Sequence, residues 1–291
     1  MATAGPSNIV RVGEAQARES LQRSVRQACA AAGIAPSDVS HTCVGGSGAA
    51  RPELAEKVRN FLGDILSTPV EVVGDMQIAL EAAFDTGPGV IVIAGTGSIA
   101  YGRDRQGRTV RAGGWGFAIG DEGSAHWIGR AAVSAVLRAA DLTGEGSGAD
   151  QHPSFAAALF KAWGVTSLAD LARVANSIPP PDFAVLFPVV TASSDELATQ
   201  VLGIAGRELA QVAAVVIRRL FAEDQAASVP VAITGGVFRH APLVRRVFYH
   251  ELRTLVPRAE LNSQVVEPVE GALRMARRAV YSGTDTTLRR P

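Results

Sequence analysis

The chain has 291 residues, 47% of them hydrophobic, enough to bury one large core or two moderate ones. Its 28 Lys plus Arg balance 28 Asp plus Glu, so no net charge draws it towards nucleic acid or an anionic membrane. The start, Met-Ala-Thr-Ala-Gly-Pro-Ser-Asn, lacks signal-peptide regions and no apolar run reads as a membrane span. Cys29 and Cys43 are too few and too unclustered for a disulfide framework or zinc site, so a cytoplasmic location is expected.

In chain order, residues 1–13 read as loop, broken by Gly5-Pro6-Ser7-Asn8. A helix is predicted over Glu14–Ala32, with Leu21, Val25, Ala28 and Ala32 on one face and Gly33 as its stop. A strand over His41–Val44, a helix over Pro52–Leu66, a strand over Val70–Val73 and a helix over Met76–Phe84 follow. This alternation predicts α/β layering with parallel pairing. Asp75 then stands at the carboxyl end of a buried strand, where open α/β sheets collect ligands; a helix cap is the plainer reading.

Val90–Ala94 is an unbroken apolar run and reads as a strand buried on both faces. Gly95-Thr96-Gly97-Ser98 follows, then a return strand, Ile99–Gly102. The glycines permit a hairpin tip that offers N–H groups and two hydroxyls to phosphate oxygens, or an ordinary turn. Gly113-Gly114-Trp115-Gly116 sets a large aromatic among glycines, which is costly to order without a packing or binding reason. Asp121-Glu122-Gly123-Ser124 heads a helix whose stripe runs through Trp127, Ile128, Ala131, Ala132, Ala135, Val136 and Ala139. Asp121 or Ser124 suits its cap, and core packing is the plain reading for both tryptophans.

Residues 143–153 are rich in Gly and Ser. Helical pieces at Pro153–Trp163, Ser167–Ala175 and Asp182–Val190 lead into the longest helix, Asp195–Phe221. A strand over Val229–Thr234 runs into Gly235-Gly236, then a helix over Pro242–Leu255 and a strand over Leu261–Val266. A final helix, Pro268–Val280, carries Val269, Ala272, Leu273, Ala276 and Val280 on one face, and the tail from Ser282 reads as frayed.

In order and spacing, Gly95-Thr96-Gly97-Ser98, Gly113-Gly114-Trp115-Gly116, Gly120-Asp121-Glu122-Gly123-Ser124 and Trp127-Ile128-Gly129-Arg130 resemble one known group. It is the N-acetylglucosamine kinase branch of the BadF/BadG/BcrA/BcrD-type ATPases, within the actin-like sugar kinase superfamily. The resemblance implies a two-domain, actin-like (ribonuclease H-like) α/β fold. Residues 1–87 would form an N-terminal α/β domain completed by helix 268–281, and 88–267 a C-terminal α/β domain with a helical insertion at 143–190.

It also implies site roles. Asp75 would be the general base; Gly95, Thr96, Gly97 and Ser98 would hold ATP phosphates, and Gly235 and Gly236 would pack on the adenosine. Asn8, Gly114, Trp115 and Asp121 would contact the sugar. ATP and Mg2+ are the implied cofactors and a small-molecule amino sugar the partner, with neither nucleic acid nor membrane; a homodimer stays open, and no residue set reads as a resident metal site.

The chain departs from the family in lacking Asp-x-Gly-x-Thr, which helps hold ATP phosphates and place magnesium. The N-terminal domain therefore reads as truncated, and an upstream extension carrying that loop is expected. The function implied is ATP-dependent phosphorylation of N-acetylglucosamine at its 6-hydroxyl. Alternatives are a glucosamine kinase, a non-catalytic sugar or nucleotide sensor, and an iron–sulfur activator ATPase of the dehydratase type, against which stands the lack of any cysteine after Cys43.

Overall fold

The computed structural model describes residues 2–49, 51–143, 153–223 and 228–287. Most of the Gly/Ser-rich segment, 144–152, and the last tail residues, 288–291, lie outside the described residues. The chain forms two units, Met1–Thr86 with Glu267–Pro291, and Gly87–Val266.

The first unit opens with α1 (Ile9–Ala32), five residues earlier than the expected Glu14, with a kink where Gly13 leaves helical geometry (φ 79°). Gly33 ends it in left-handed backbone. Its inward face runs through Ala17, Leu21, Val25 and Cys29, whereas Ala28 and Ala32 are exposed, so the face is rotated from the expected one. After a 3-10 turn at Pro36–Asp38 come β1 (Thr42–Gly46), α2 (Pro52–Gly63), β2 (Val70–Gly74) and α3 (Asp75–Phe84). β1 and β2 pair in parallel, from Thr42 opposite Val70 to Gly46 opposite Gly74, with α2 as the crossover such a pair needs. Ala55, Val58, Leu62, Leu66 and Val72 form the core here.

The second unit is built on a five-stranded sheet in the order β5-β4-β3-β6-β7. β3 (Gly89–Ala94) is central, with Val90, Ile91 and Val92 fully buried, as a run of β-branched residues between two layers should be. β4 (Ser98–Arg103) returns antiparallel beside it. β5 (Thr109–Gly113) pairs antiparallel with β4. The sequence pattern did not predict β5, because Thr109-Val-Arg-Ala-Gly113 is short, polar and glycine-ended.

α4 (Ala125–Thr143) buries the predicted stripe through Ile128, Ala132 and Val136. α5 (Pro153–Trp163), α6 (Leu168–Ala175), a 3-10 turn (Phe183–Leu186) and α7 (Phe187–Ala192) form the helical region. α8 (Glu196–Leu220) is long and apolar enough to span a bilayer, yet Val201, Ala205, Leu209, Val216 and Leu220 are buried in the unit's core. β6 (Val229–Thr234) lies parallel to β3; α9 (Gly236–His240), α10 (Pro242–Leu255) and β7 (Ala259–Val265), parallel to β6, complete the unit.

α11 (Pro268–Thr287) returns to the first unit and packs on α3. Contact centres on Gly271 and Ala272, while Val269 and Leu273 stay half exposed, so only part of the predicted apolar face, Ala272 with the half-buried Ala276 and Val280, is the packed one. The closeness of the helices explains the difference. A Cβ on Gly271 would sit 1.9 Å from the Ile78 carbonyl oxygen, so only glycine lets the two backbones approach so nearly. Arg274 donates to the Glu81 and Ala82 carbonyls, and Arg278 pairs with Glu81 and Asp85.

Gly271→Ala should therefore lower unfolding stability by about 1–3 kcal/mol, read as a shift in urea midpoint. Gly63→Ala, where nothing lies within 4 Å, serves as the neutral comparison.

Candidate active site

In the first unit, β2 passes into α3 without a loop, which puts Asp75 at the strand's carboxyl end and in the helix's first turn. Gly74, not Asp75, is the N-cap, and its N–H is taken by Gln77 Oε1 at 2.9 Å. Asp75 Oδ1 accepts the Met76 N–H at 2.9 Å. Burial raises its pKa above the usual carboxylate range, and the nearby peptide N–H groups only partly offset this. Asp75 has no ion pair among the described residues, so its charge is uncompensated by any cation there. Asn8 caps α1, its Oδ1 accepting the Val10 N–H at 3.1 Å.

In the second unit, Gly95–Gly97 forms the tip between β3 and β4. Its carbonyls are held from behind, Gly95 by the Ala125 N–H at 2.8 Å and Thr96 by the His126 N–H at 3.4 Å. Ser124 Oγ accepts the Trp127 N–H, so Ser124 caps α4, one of the two residues the pattern suggested. The first donors of α4 are thus spent within the protein. The two hydroxyls of the tip diverge. Thr96 is exposed, whereas Ser98 is buried and donates to the Glu122 carbonyl at 2.7 Å. That corrects the expectation of two outward hydroxyls: one is exposed, and the other fastens the hairpin to the loop behind it.

Asp121 is buried in a left-handed backbone conformation (φ 58°) uncommon for a residue with a side chain. Its Oδ1 accepts the Gly116 N–H at 3.1 Å, and Oδ2 lies where a Cβ on Gly97 would come within 2.7 Å. The backbone of Ser98 also bonds it, and burial, the largest influence, raises its pKa. One carboxylate therefore ties the Gly97 hairpin to the Gly113–Gly120 loop. Trp115, on that loop, is 69% exposed, which removes core packing as its explanation; Trp127 does pack against the core. Gly114 has φ 68° and stands against Ile99. Phe117 is held by the ring of His126 at 4.9 Å.

Because β3 and β6 are parallel neighbours, with Ile93 opposite Thr234, their carboxyl ends lie side by side. The Gly95–Ser98 and Gly235–Gly236 turns leave from those ends, so the structure brings them together as spacing alone could not. Gly235 has φ 106°, and a Cβ there would fall 2.3 Å from the Ala94 carbonyl oxygen. Gly236 begins α9, where a Cβ would meet only the His240 ring, at 4.0 Å. Carboxyl ends of adjacent parallel strands, opened by glycine turns, are where such sheets take nucleotides. Sequence reasoning missed Arg111, on the unpredicted β5, whose guanidinium lies 4.9 Å from the Trp115 ring centre. Its only signal was a cation two residues before a Gly-Gly-Trp.

The fold is shared with solved structures of sugar kinases. A solved Chromobacterium violaceum structure with a provisional N-acetylglucosamine kinase name matches at TM-score 0.65 and 24% identity, covering 93% of this chain and 87% of that one. A ROK family glucokinase from Streptomyces griseus, solved with glucose and AMPPNP, matches at TM-score 0.52 and 15% identity, covering 90% and 86%. The profile of the BadF/BadG/BcrA/BcrD ATPase family matches residues 1–276, and the chain belongs to that family. An N-acetylmuramic acid/N-acetylglucosamine kinase of Clostridium acetobutylicum is 31% identical, over 94% of this chain and 89% of the relative. An N-acetyl-D-glucosamine kinase of Dictyostelium discoideum is 27% identical, over 82% and 75%.

Gly97→Ala sets a methyl against Asp121 Oδ2, a strain of about 1–3 kcal/mol. It should weaken AMPPNP binding about tenfold by calorimetry. Unchanged affinity would separate the hairpin from nucleotide binding.

Proposed function

We propose that this protein is an ATP-dependent amino-sugar kinase that transfers the γ-phosphoryl group of ATP to the 6-hydroxyl of N-acetylglucosamine. The observation that carries the reading is the meeting of the two glycine turns at the carboxyl ends of β3 and β6, with one of them tied by Asp121 to the Trp115 loop. Family membership and the names of two curated relatives support it.

Phosphoryl transfer asks the protein chiefly to position groups and to balance charge. In this reading, Gly95, Gly97 and Thr96 hold phosphate oxygens through backbone N–H groups and one hydroxyl. Ser98 fixes the shape of that tip from inside. Gly235 and Gly236 leave room for the adenosine. Gly114, Trp115, Asp121 and Asn8 orient the sugar, and Asp75 takes the proton of the attacking hydroxyl. A carboxylate raised by burial is a better base than one in water, because its charge is less well solvated before it accepts the proton. Among the described residues no cluster of three or more His, Cys, Asp or Glu forms a cation cage. Mg2+ would therefore arrive on the nucleotide, whose phosphates are its customary ligands, and would supply charge neutralisation there.

A glucosamine kinase differs only at the N-acetyl group. The Clostridium relative's name joins N-acetylmuramic acid to N-acetylglucosamine, and both sugars carry a free 6-hydroxyl. The iron–sulfur activator reading is disfavoured by cysteine content, since the sequence has only Cys29 and Cys43 and none beyond the glycine hairpin.

Purified protein with ATP, Mg2+ and N-acetylglucosamine should release ADP in a coupled assay. Asp75→Asn should lower kcat by about 10²–10⁴ while the sugar still binds. The acid limb of kcat/KM should lie above the ordinary aspartate value of about 4. Stability gives an independent sign. A raised folded-state pKa favours the fold when Asp75 is protonated, and that contribution is lost as pH rises through the folded pKa. The Asn variant should therefore gain melting temperature over the parent at neutral pH, a gain that vanishes in acid. Full turnover in Asp75→Asn removes the base assignment, and no turnover on any amino sugar despite ATP binding favours the sensor.

A further inference from the structure

Arg111 stands on β5, two residues ahead of the glycine pair that presents Trp115. Its guanidinium carbon lies 4.9 Å from the Trp115 ring centre, and Nη1 donates to the Gly114 carbonyl at 3.3 Å. Two other arginines of this hairpin are engaged elsewhere. Arg103 donates to the Gly87 carbonyl, and Arg108 pairs with Asp104 and reaches the carbonyls of Arg219 and Leu220. Arg111 pairs with no carboxylate among the described residues, and it is exposed. Stacking on the indole fixes the plane of its donor fork while leaving most of those donors without a protein acceptor.

A planar guanidinium held in this way matches a carboxylate through two parallel N–H···O bonds. Its orientation is set before ligand arrives, so little side-chain entropy is lost on binding. We propose that Arg111 reads an acidic substituent of the sugar, so that the preferred substrates are amino sugars bearing a carboxylate on an ether arm. This rests on the amino-sugar kinase reading and sharpens it. It makes Arg111 a specificity-determining residue.

N-acetylmuramic acid, the 3-O-lactyl ether of N-acetylglucosamine, is the probe. Steady-state kinetics on both sugars should be measured for the parent, Arg111→Ala, Arg111→Lys and Arg111→Glu. The parent should turn over both. Arg111→Ala should lower the ratio of kcat/KM for N-acetylmuramic acid over N-acetylglucosamine about tenfold or more, mainly through KM. Lys should restore part of the ratio and Glu should depress it further. In the parent, added salt should raise KM for the acidic sugar more than for the neutral one. If the ratio stays fixed while both activities fall together, Arg111 merely supports Trp115 and the proposal is overturned. If the parent phosphorylates N-acetylglucosamine but not N-acetylmuramic acid, the proposal fails and the kinase reading stands. If neither sugar is phosphorylated, the kinase reading fails and takes this one with it.

Discussion

The carboxylate of Asp121 is the point at which the second unit's separate loops become one site. It is held in a strained backbone conformation, deep enough to be desolvated, and its two oxygens face different segments. One takes the Gly116 N–H, and the other lies against Gly97. A turn of glycines has little preference of its own for any conformation. Tied across its base by a charge-assisted bond, it acquires one. Ser98 adds a second fastening through Glu122, and α4 a third through the carbonyls of Gly95 and Thr96. The outward side of the tip is then defined by what its inward side is bound to.

Much of this was readable in the chain. The β-branched run at Val90–Ala94, the stripe of α4 and the stripe of α8 each specified an element and its buried face, because burial on one or both faces leaves a period that survives in the sequence. Where packing is set by backbone approach, the period misleads. α11 shows Val269, Ala272 and Leu273 on an apolar arc, yet docks through Gly271, since a residue without a side chain contributes nothing to a hydrophobic stripe. β5 was illegible for a related reason. As an edge strand it is half solvated and ends in glycine, so little alternation remains.

The site was legible as a list of residues and not as an arrangement. Spacing named Gly95–Ser98 and Gly235–Gly236, but only the parallel pairing of β3 with β6 makes them neighbours. Spacing also treated Thr96 and Ser98 as equals, whereas alternation along β4 sends Ser98 inward at the first residue of the strand. Ser124 was named as a cap and is one, whereas Asn8, read as a loop residue or a sugar contact, caps a helix the pattern started five residues too late. Arg111 lay outside the named set because its significance depends on a ring four residues away and on pairing with no carboxylate among the described residues, neither of which a linear pattern encodes.

Three buried or part-buried carboxylates separate structural from functional charge. Glu81 is desolvated, and Arg278 faces it, as the cost of burying an ion leads one to expect of a group serving the fold. Asp75 and Asp121 are desolvated too, yet neither has a cation among the described residues; peptide N–H groups are their only aid. Burial outweighs the available donors at all three, so Glu81, Asp75 and Asp121 are all raised, and what sets the latter two apart is the absence of an ion pair among the described residues. A chain under selection for stability alone would replace them with neutral residues of like shape. Their positions, at a strand's carboxyl end and beneath a glycine hairpin, are what make them the carboxylates of the proposed site, since perturbed groups in such places are candidates for function.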